Sequence, residues 1–160
     1  AGSAENMRSQ IQDYIADAAK AKLTSDKVKA ENEVLKRENA ALREQLGLQT
    51  DPNLPTILLM AGSFGVTNIL GIYKSLMALE EAFQLVIITG RNQKLYDAFE
   101  QEIVDAPKPV FLVFFTDVVQ NYMQCSDMII TKPGGLTISE AIACDLPMVL
   151  FNAIPVVAAF

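Results

Sequence analysis

The sequence contains no histidine and no tryptophan, and only two cysteines in 160 residues. Without histidine the chain lacks the commonest general base near neutral pH and the commonest side-chain ligand of transition metals. Cys125 and Cys144 have no metal-like spacing. Each sits in apolar or helix-like surroundings, which points to reduced thiols and a cytoplasmic setting. No metal and no cofactor is therefore expected. No apolar run approaches the roughly 20 residues of a membrane span, and no signal peptide is visible. A further absence is local: residues 4–46 hold neither glycine nor proline.

Hydrophobic residues make up 51% of the chain, enough for a substantial core. The net charge of −6 is unevenly placed. Residues 1–50 carry 8 basic and 8 acidic side chains, whereas residues 51–160 carry 5 and 11. An acidic domain is a poor partner for nucleic acid, and without a basic patch it is repelled by anionic lipid.

Two regions with different grammar follow from this. Residues 1–46 are rich in Ala, Glu, Lys and Gln and fit a heptad. Position a falls on Ala4, Ile11, Ala18, Ser25, Asn32, Asn39 and Leu46, and position d on Met7, Tyr14, Ala21, Val28, Leu35 and Leu42. Glu31 and Glu38 at g can reach Lys36 and Arg43 at e of a parallel partner, and Asn at a favours a two-stranded register. The expectation is one long helix pairing as a parallel homodimer through residues 25–46. The alternative is an amphipathic helix lying on the domain that follows. Gly47 and the turn-rich "TDPNLP" (50–55) make residues 47–55 a linker.

Residues 56–160 alternate short apolar runs with helix-like runs. Strands are expected at 56–61, 84–89, 110–115, 127–131 and 147–151, with helices at 69–83, 93–104, 117–125 and 137–144. The fold class is α/β: a Rossmann-like parallel sheet covered on both faces, preceded by a long coiled-coil helix. Such sheets take ligands beyond the carboxyl ends of their strands.

Two loops stand at strand ends. "GSFG" (62–65) follows the first strand, and its glycines allow close approach of a ligand. It is not the GxGxxG of dinucleotide sites. "KPGG" (132–135) leads into a helix at about Leu136. Free N–H groups and the helix dipole favour phosphate there, and Thr137 adds a hydroxyl. Glu140, one turn further on, would repel phosphate but can accept hydrogen bonds from ribose hydroxyls. For each loop the alternative is a tight αβ connection with no ligand, and the second, with Thr137 and Glu140, carries the stronger case for a nucleotide.

"LLMAGSFG", "ITKPGGLTISEAIACDLPMVLF" and the following "NAIP" resemble the carboxy-terminal domain of family 28 glycosyltransferases. The likeness is strongest to processive diacylglycerol glucosyltransferases and monogalactosyldiacylglycerol synthases, and more distant to the lipid II N-acetylglucosaminyltransferase of peptidoglycan synthesis. It covers about residues 42–155. It implies half of a GT-B fold whose carboxy-terminal domain binds a UDP-sugar, UDP-glucose or UDP-galactose. It also implies a diacylglycerol acceptor and a peripheral place on the inner membrane face for the parent enzyme. By resemblance, Ser63 meets the diphosphate, and Gly134, Gly135, Leu136 and Thr137 contact diphosphate or sugar. Glu140 binds ribose, and Phe115 lies against uracil with Val118 nearby. From its own chemistry, Phe115 is equally well read as plain core.

The sequence departs from the family in two ways. A coiled coil stands where the acceptor domain should end, and after "IP" the family's Gly-Gln-Glu is replaced by "VVAAF". The expectation is a truncated domain, 56–160, with the leaving-group side of an inverting transferase but no identifiable catalytic base. Alone it would be inactive. A non-catalytic dimer or scaffold with a Rossmann-like head is the alternative.

Overall fold

The computed structural model describes residues 2–29, 33–62 and 64–151, with side chains described outside 23–36. Ser63 and the "NAIP" tail lie outside the described residues, as do the side chains of Val28, Glu31, Asn32, Leu35 and Lys36. The chain opens with helices α1 (Gly2–Lys29) and α2 (Glu33–Gln45). Four βα steps and a further strand follow as β1 (Thr56–Met60), α3 (Val66–Met77), β2 (Gln84–Ile88), α4 (Gln93–Glu102), β3 (Val110–Val113), α5 (Val119–Gln124), β4 (Met128–Thr131), α6 (Gly135–Ala143) and β5 (Met148–Leu150).

The five strands form one sheet in the order β3-β2-β1-β4-β5, with every pair parallel. This is the α/β, Rossmann-like architecture that the alternating pattern predicts. β1, β2 and β4 are almost wholly buried, since a parallel sheet carries helices on both faces. Ile57, Leu59, Leu85, Ile87 and Ile130 face one layer with Ile69, Ile72 and Leu76 of α3 and Leu95 and Phe99 of α4. Leu58, Val86, Ile88 and Ile129 face the other, with Tyr122 and Met123 of α5 and Ala141 of α6. The alternation is the period of two that a strand imposes on its side chains.

Helix ends shift from the sequence expectation for local reasons. α3 begins at Val66 rather than Ile69 because extended Gly65 (φ −69°, ψ 145°) serves as its N-cap and accepts from Ile69 N at 3.1 Å. It stops at Met77 although the apolar pattern runs on to Phe83. There the Lys108 ammonium takes the carbonyls of Leu79 (2.5 Å) and Met77 (3.4 Å), and Phe83 turns into the core. α6 begins at Gly135, with extended Gly134 before it.

The amino-terminal helix does not stand apart from the domain. Ile11 and Ile15 of α1 are buried in the core layer of α3 and α4, and Met7, Tyr14 and Ala18 pack against that layer. Leu42 of α2 and Leu46 just after it pack on the opposite layer. Of the described a and d residues, Met7, Ile11, Tyr14, Ala18, Leu42 and Leu46 thus lie against the chain's own core, whereas Ala4, Ala21 and Asn39 are exposed. An amphipathic stripe cannot distinguish a partner helix from a neighbouring sheet, because both offer an apolar surface. A cavity of about 90 Å³ remains between α1 and the amino-terminal edge of the sheet, lined by Ile15, Ala18, Ala19, Ile57, Phe83 and Met128.

Polar contacts lock this arrangement at the amino-terminal edge of the strands. Arg43 is buried, not exposed for pairing with a second copy. Its guanidinium donates to the carbonyls of Cys125 (3.3 Å), Asp51 (3.0 Å) and Leu54 (3.3 Å) and reaches Asp127 Oδ2 at 3.4 Å. Asp127 also accepts from Thr56 N (2.8 Å) and Lys22 Nζ (2.6 Å). Residues 47–55 are strapped down as well: Gln49 exchanges backbone bonds with the buried Gln84 side chain at 2.9 and 3.0 Å. A buried guanidinium is tolerable because these acceptors replace its water.

Because Ile11 is 1% exposed and shares the core, Ile11→Ala should destabilise the whole chain by about 2–5 kcal/mol. Urea unfolding followed by circular dichroism should show one cooperative transition with a lower midpoint. An unchanged midpoint would mean that α1 is not docked.

Candidate functional site

Sheet order decides where the loops meet. The chain runs outward through β1, β2 and β3, then crosses back to place β4 on the other side of β1. The β1/β4 boundary is therefore the switch point, where loops leaving the carboxyl ends diverge to opposite faces and leave a crevice. The two loops rooted there are the ones singled out by their glycines, after Met60 and after Thr131. Neighbouring parallel strands put their roots about 5 Å apart.

The first loop is held close to the sheet. Ala61 N donates to Ile88 O at 2.8 Å, and Phe64 N closes a turn onto Ala61 O at 3.0 Å, with Phe64 itself buried. A Cβ on Gly62 would lie 2.7 Å from the Thr89 carbonyl oxygen. No other residue fits there without moving backbone. Gly65 then opens α3.

The second loop ends at α6, whose N-cap Gly134 has no side chain to satisfy the first-turn donors. The first helical bond at this end is Ile138 N to Gly134 O, 3.1 Å. The N–H groups of Gly135, Leu136 and Thr137 precede it and point out of the helix end, as first-turn donors do. Gly134, Gly135 and Leu136 are exposed, with Leu136 at 76%. Thr137 and Glu140 are half-buried, and they share one helix face at a spacing of three residues. The Ser139 hydroxyl turns back to Gly135 O at 2.8 Å, away from this role. The arrangement offers neutral donors and a positive helix end for an anion, with a carboxylate acceptor one turn away.

Phe115 follows β3, two strands from the switch point. It is 51% exposed, so it is not core. The Arg91 guanidinium lies over its ring at 4.2 Å from the centroid. Val118 is 41% exposed at the start of α5, and its N–H donates to Thr116 Oγ1 at 3.1 Å. All the described candidates thus stand at the carboxyl edge. Gly134 to Glu140 form one continuous cluster, while Phe115 and Val118 stand at the far side, beyond β2.

The sequence marks Gly62 as a glycine of the first loop, but nothing there singles out Arg91. The signal for its turn lies in "TGRNQ" (89–93), where a strand end, a glycine at φ +61° and an N-cap asparagine fix a tight βα turn. Asn92 Oδ1 accepts from Leu95 N at 3.1 Å. Cys125 is no candidate nucleophile, since burial pushes its thiol up to about 11. No group of three or more metal-ligating side chains occurs among the described residues. No described helix is long and apolar enough to cross a membrane.

Comparison with known proteins agrees with this geometry. Residues 56–153 match the glycosyltransferase family 28 C-terminal domain. The chain is 38% identical over 106 residues to the processive diacylglycerol beta-glucosyltransferase of Staphylococcus carnosus, covering 66% of this chain and 27% of that protein. The enzymes of the same name from Staphylococcus epidermidis and Bacillus licheniformis are 35% and 31% identical over 106 and 108 residues. These cover 66% and 67% of this chain, and 27% and 28% of theirs. The aligned part thus spans little more than a quarter of these relatives. With a parallel sheet in the order 3-2-1-4-5, glycine loops at its switch point and this match over residues 56–153, the chain belongs to the glycosyltransferase family 28 C-terminal domain family.

Proposed function

We propose that this chain is the donor-binding half of a glycosyltransferase and holds a UDP-sugar at the carboxyl edge of its sheet. The observation that carries this is the uncapped start of α6 at the β1/β4 switch point, with Glu140 one turn in. The diphosphate would sit on the N–H groups of Gly135, Leu136 and Thr137, facing Gly62 across the crevice, with Ser63 assigned to it by the family resemblance alone. Glu140 would accept from the ribose hydroxyls, and Phe115 and Val118 would flank the uracil. In transfer, the same donors would stabilise the negative charge that builds on the diphosphate as the sugar–oxygen bond breaks.

The relatives' names suggest glucose as the sugar and diacylglycerol as the acceptor of the whole protein, which would act at a membrane surface. UDP-galactose fits the same diphosphate and ribose contacts. Transfer also requires a base for the acceptor hydroxyl. The chain has no histidine, and its described carboxylates include none that the structure marks as a base. Incubation with labelled UDP-glucose or UDP-galactose and diacylglycerol should therefore give no glycolipid. Product that is lost in Glu140→Ala would overturn this.

UDP should bind weakly, with a dissociation constant nearer millimolar than micromolar. A helix end contributes about 0.3–1 kcal/mol and a charged hydrogen bond to ribose about 1.5–3 kcal/mol, and ordering costs consume much of that. Glu140→Gln should weaken UDP more than inorganic diphosphate, because only UDP carries a ribose. Titration calorimetry on both ligands tests this, and equal losses would remove Glu140 from the ribose site.

A homodimer through the heptad is a narrower proposal. The a and d residues outside 23–36 that pack on the chain's own core are not available to a second copy, so pairing within 25–46 would rest on Ser25, Val28, Asn32, Leu35 and the exposed Asn39. Sedimentation equilibrium at micromolar concentration should then read about twice 17.5 kDa. A single species at the monomer mass would leave α1 and α2 as a cover for their own domain.

A further inference from the structure

We propose that Arg91 is a positioning residue for the donor base: it backs Phe115, so that the ring presents only its outer face to a pyrimidine. The inference rests on the donor-site reading and adds to it a residue on a different loop.

A phenylalanine at 51% exposure beside a ligand edge has no core to fix its ring. Here one face is occupied by the Arg91 guanidinium, 4.2 Å from the centroid. A planar cation over an aromatic face is held by the ring quadrupole and by contact, and it limits the ring's rotamers. Both partners stand on backbone that is itself tied down. Thr89 N donates to Val113 O at 2.9 Å, joining the ends of β2 and β3. The Thr89 hydroxyl lies 3.4 Å from the carbonyls of Val113 and Phe114 and 3.2 Å from that of Gly90. Gly90 at φ +61° turns the chain so that Arg91 leaves toward β3, and Asn92 caps α4 immediately after. On the other loop, Phe114 packs edge-on against Tyr96 of α4 at 5.5 Å, which fixes the residue before Phe115. Two anchored loops thus deliver one cation and one ring to the same point.

The arrangement suits a flat ring lying on Phe115. Stacking on an aromatic side chain is tolerant of base identity, so the platform itself recognises a planar base rather than uracil alone. The Arg91 guanidinium lies over Phe115, but its loop follows β2, the neighbour of β1, so inorganic diphosphate is the probe that separates action through the ring from a direct phosphate contact.

The experiment is a double-variant cycle on the full chain, with UDP and inorganic diphosphate as probes. Arg91→Gln should weaken UDP by roughly 2–5-fold, the range of an exposed cation–π contact, and leave diphosphate unchanged. Phe115→Leu should weaken UDP at least as much. The double variant should lose no more than Phe115→Leu alone, because Arg91 acts only through that ring. Additive losses, or a weaker diphosphate in Arg91→Gln, would overturn the positioning role and make Arg91 a direct phosphate contact. If UDP binds with Glu140→Gln behaving as expected and Arg91→Gln has no effect, this inference alone fails. If the unaltered chain binds no UDP, both it and the donor-site reading fall.

Discussion

Parallel pairing of β1 with β4 is the contact on which the rest of the molecule depends. Ile57, Leu58 and Leu59 stand opposite Met128, Ile129 and Ile130, and every one of these side chains is buried. Had β4 continued outward beside β3, the glycine loops would sit at opposite ends of the sheet. Because it returns to β1, the two loops are rooted on adjacent strands, and the crossovers leave on opposite faces. An anion site needs donors brought together from segments far apart in sequence, and here a hydrophobic pairing supplies that convergence.

The two edges of the sheet have separate duties. The amino-terminal edge carries the stabilising polar network, with Arg43, Asp127, Lys22, Thr56 and Gln84 joined by hydrogen bonds and ion pairs. These side chains tie both amino-terminal helices and residues 47–55 to the strands. The carboxyl edge leaves the donors of Gly135 to Thr137 without a partner among the described residues and exposes Phe115, Leu136 and Val118. Satisfied polar groups hold a fold, whereas unsatisfied ones at a rim are available to a ligand. A cost in stability at one edge is thus separated from the interactions that offset it at the other.

α1 illustrates how little an amphipathic pattern says about its partner. The stripe of Met7, Ile11, Tyr14 and Ala18 is real, and the spacing of three and four is what a helix needs to bury one face. In the structure that face meets the sheet layer of α3 and α4. Small side chains at Ala18 and Ala19 leave part of the contact unfilled, as the cavity beneath them shows.

The sequence alone determined the secondary elements and the type of fold. Buried strands between glycine and proline punctuation can be read locally, because side-chain period and turn chemistry are local properties. The same holds for Gly134 to Glu140: N-cap, first-turn donors and carboxylate lie within seven consecutive residues, so their mutual placement follows from helix geometry. Strand order had to come from the tertiary structure, because it rests on pairings between residues such as Ile57 and Met128 that are distant in the chain. So did the choice between core and rim for Phe115, since a phenylalanine at a strand end has no local signal for its exposure. Arg91 over Phe115, Gly62 against Thr89, and Arg43 buried against Asp127 likewise join segments that no periodicity connects. Such contacts are fixed only when the whole sheet closes, because each depends on backbone positioned by a different strand.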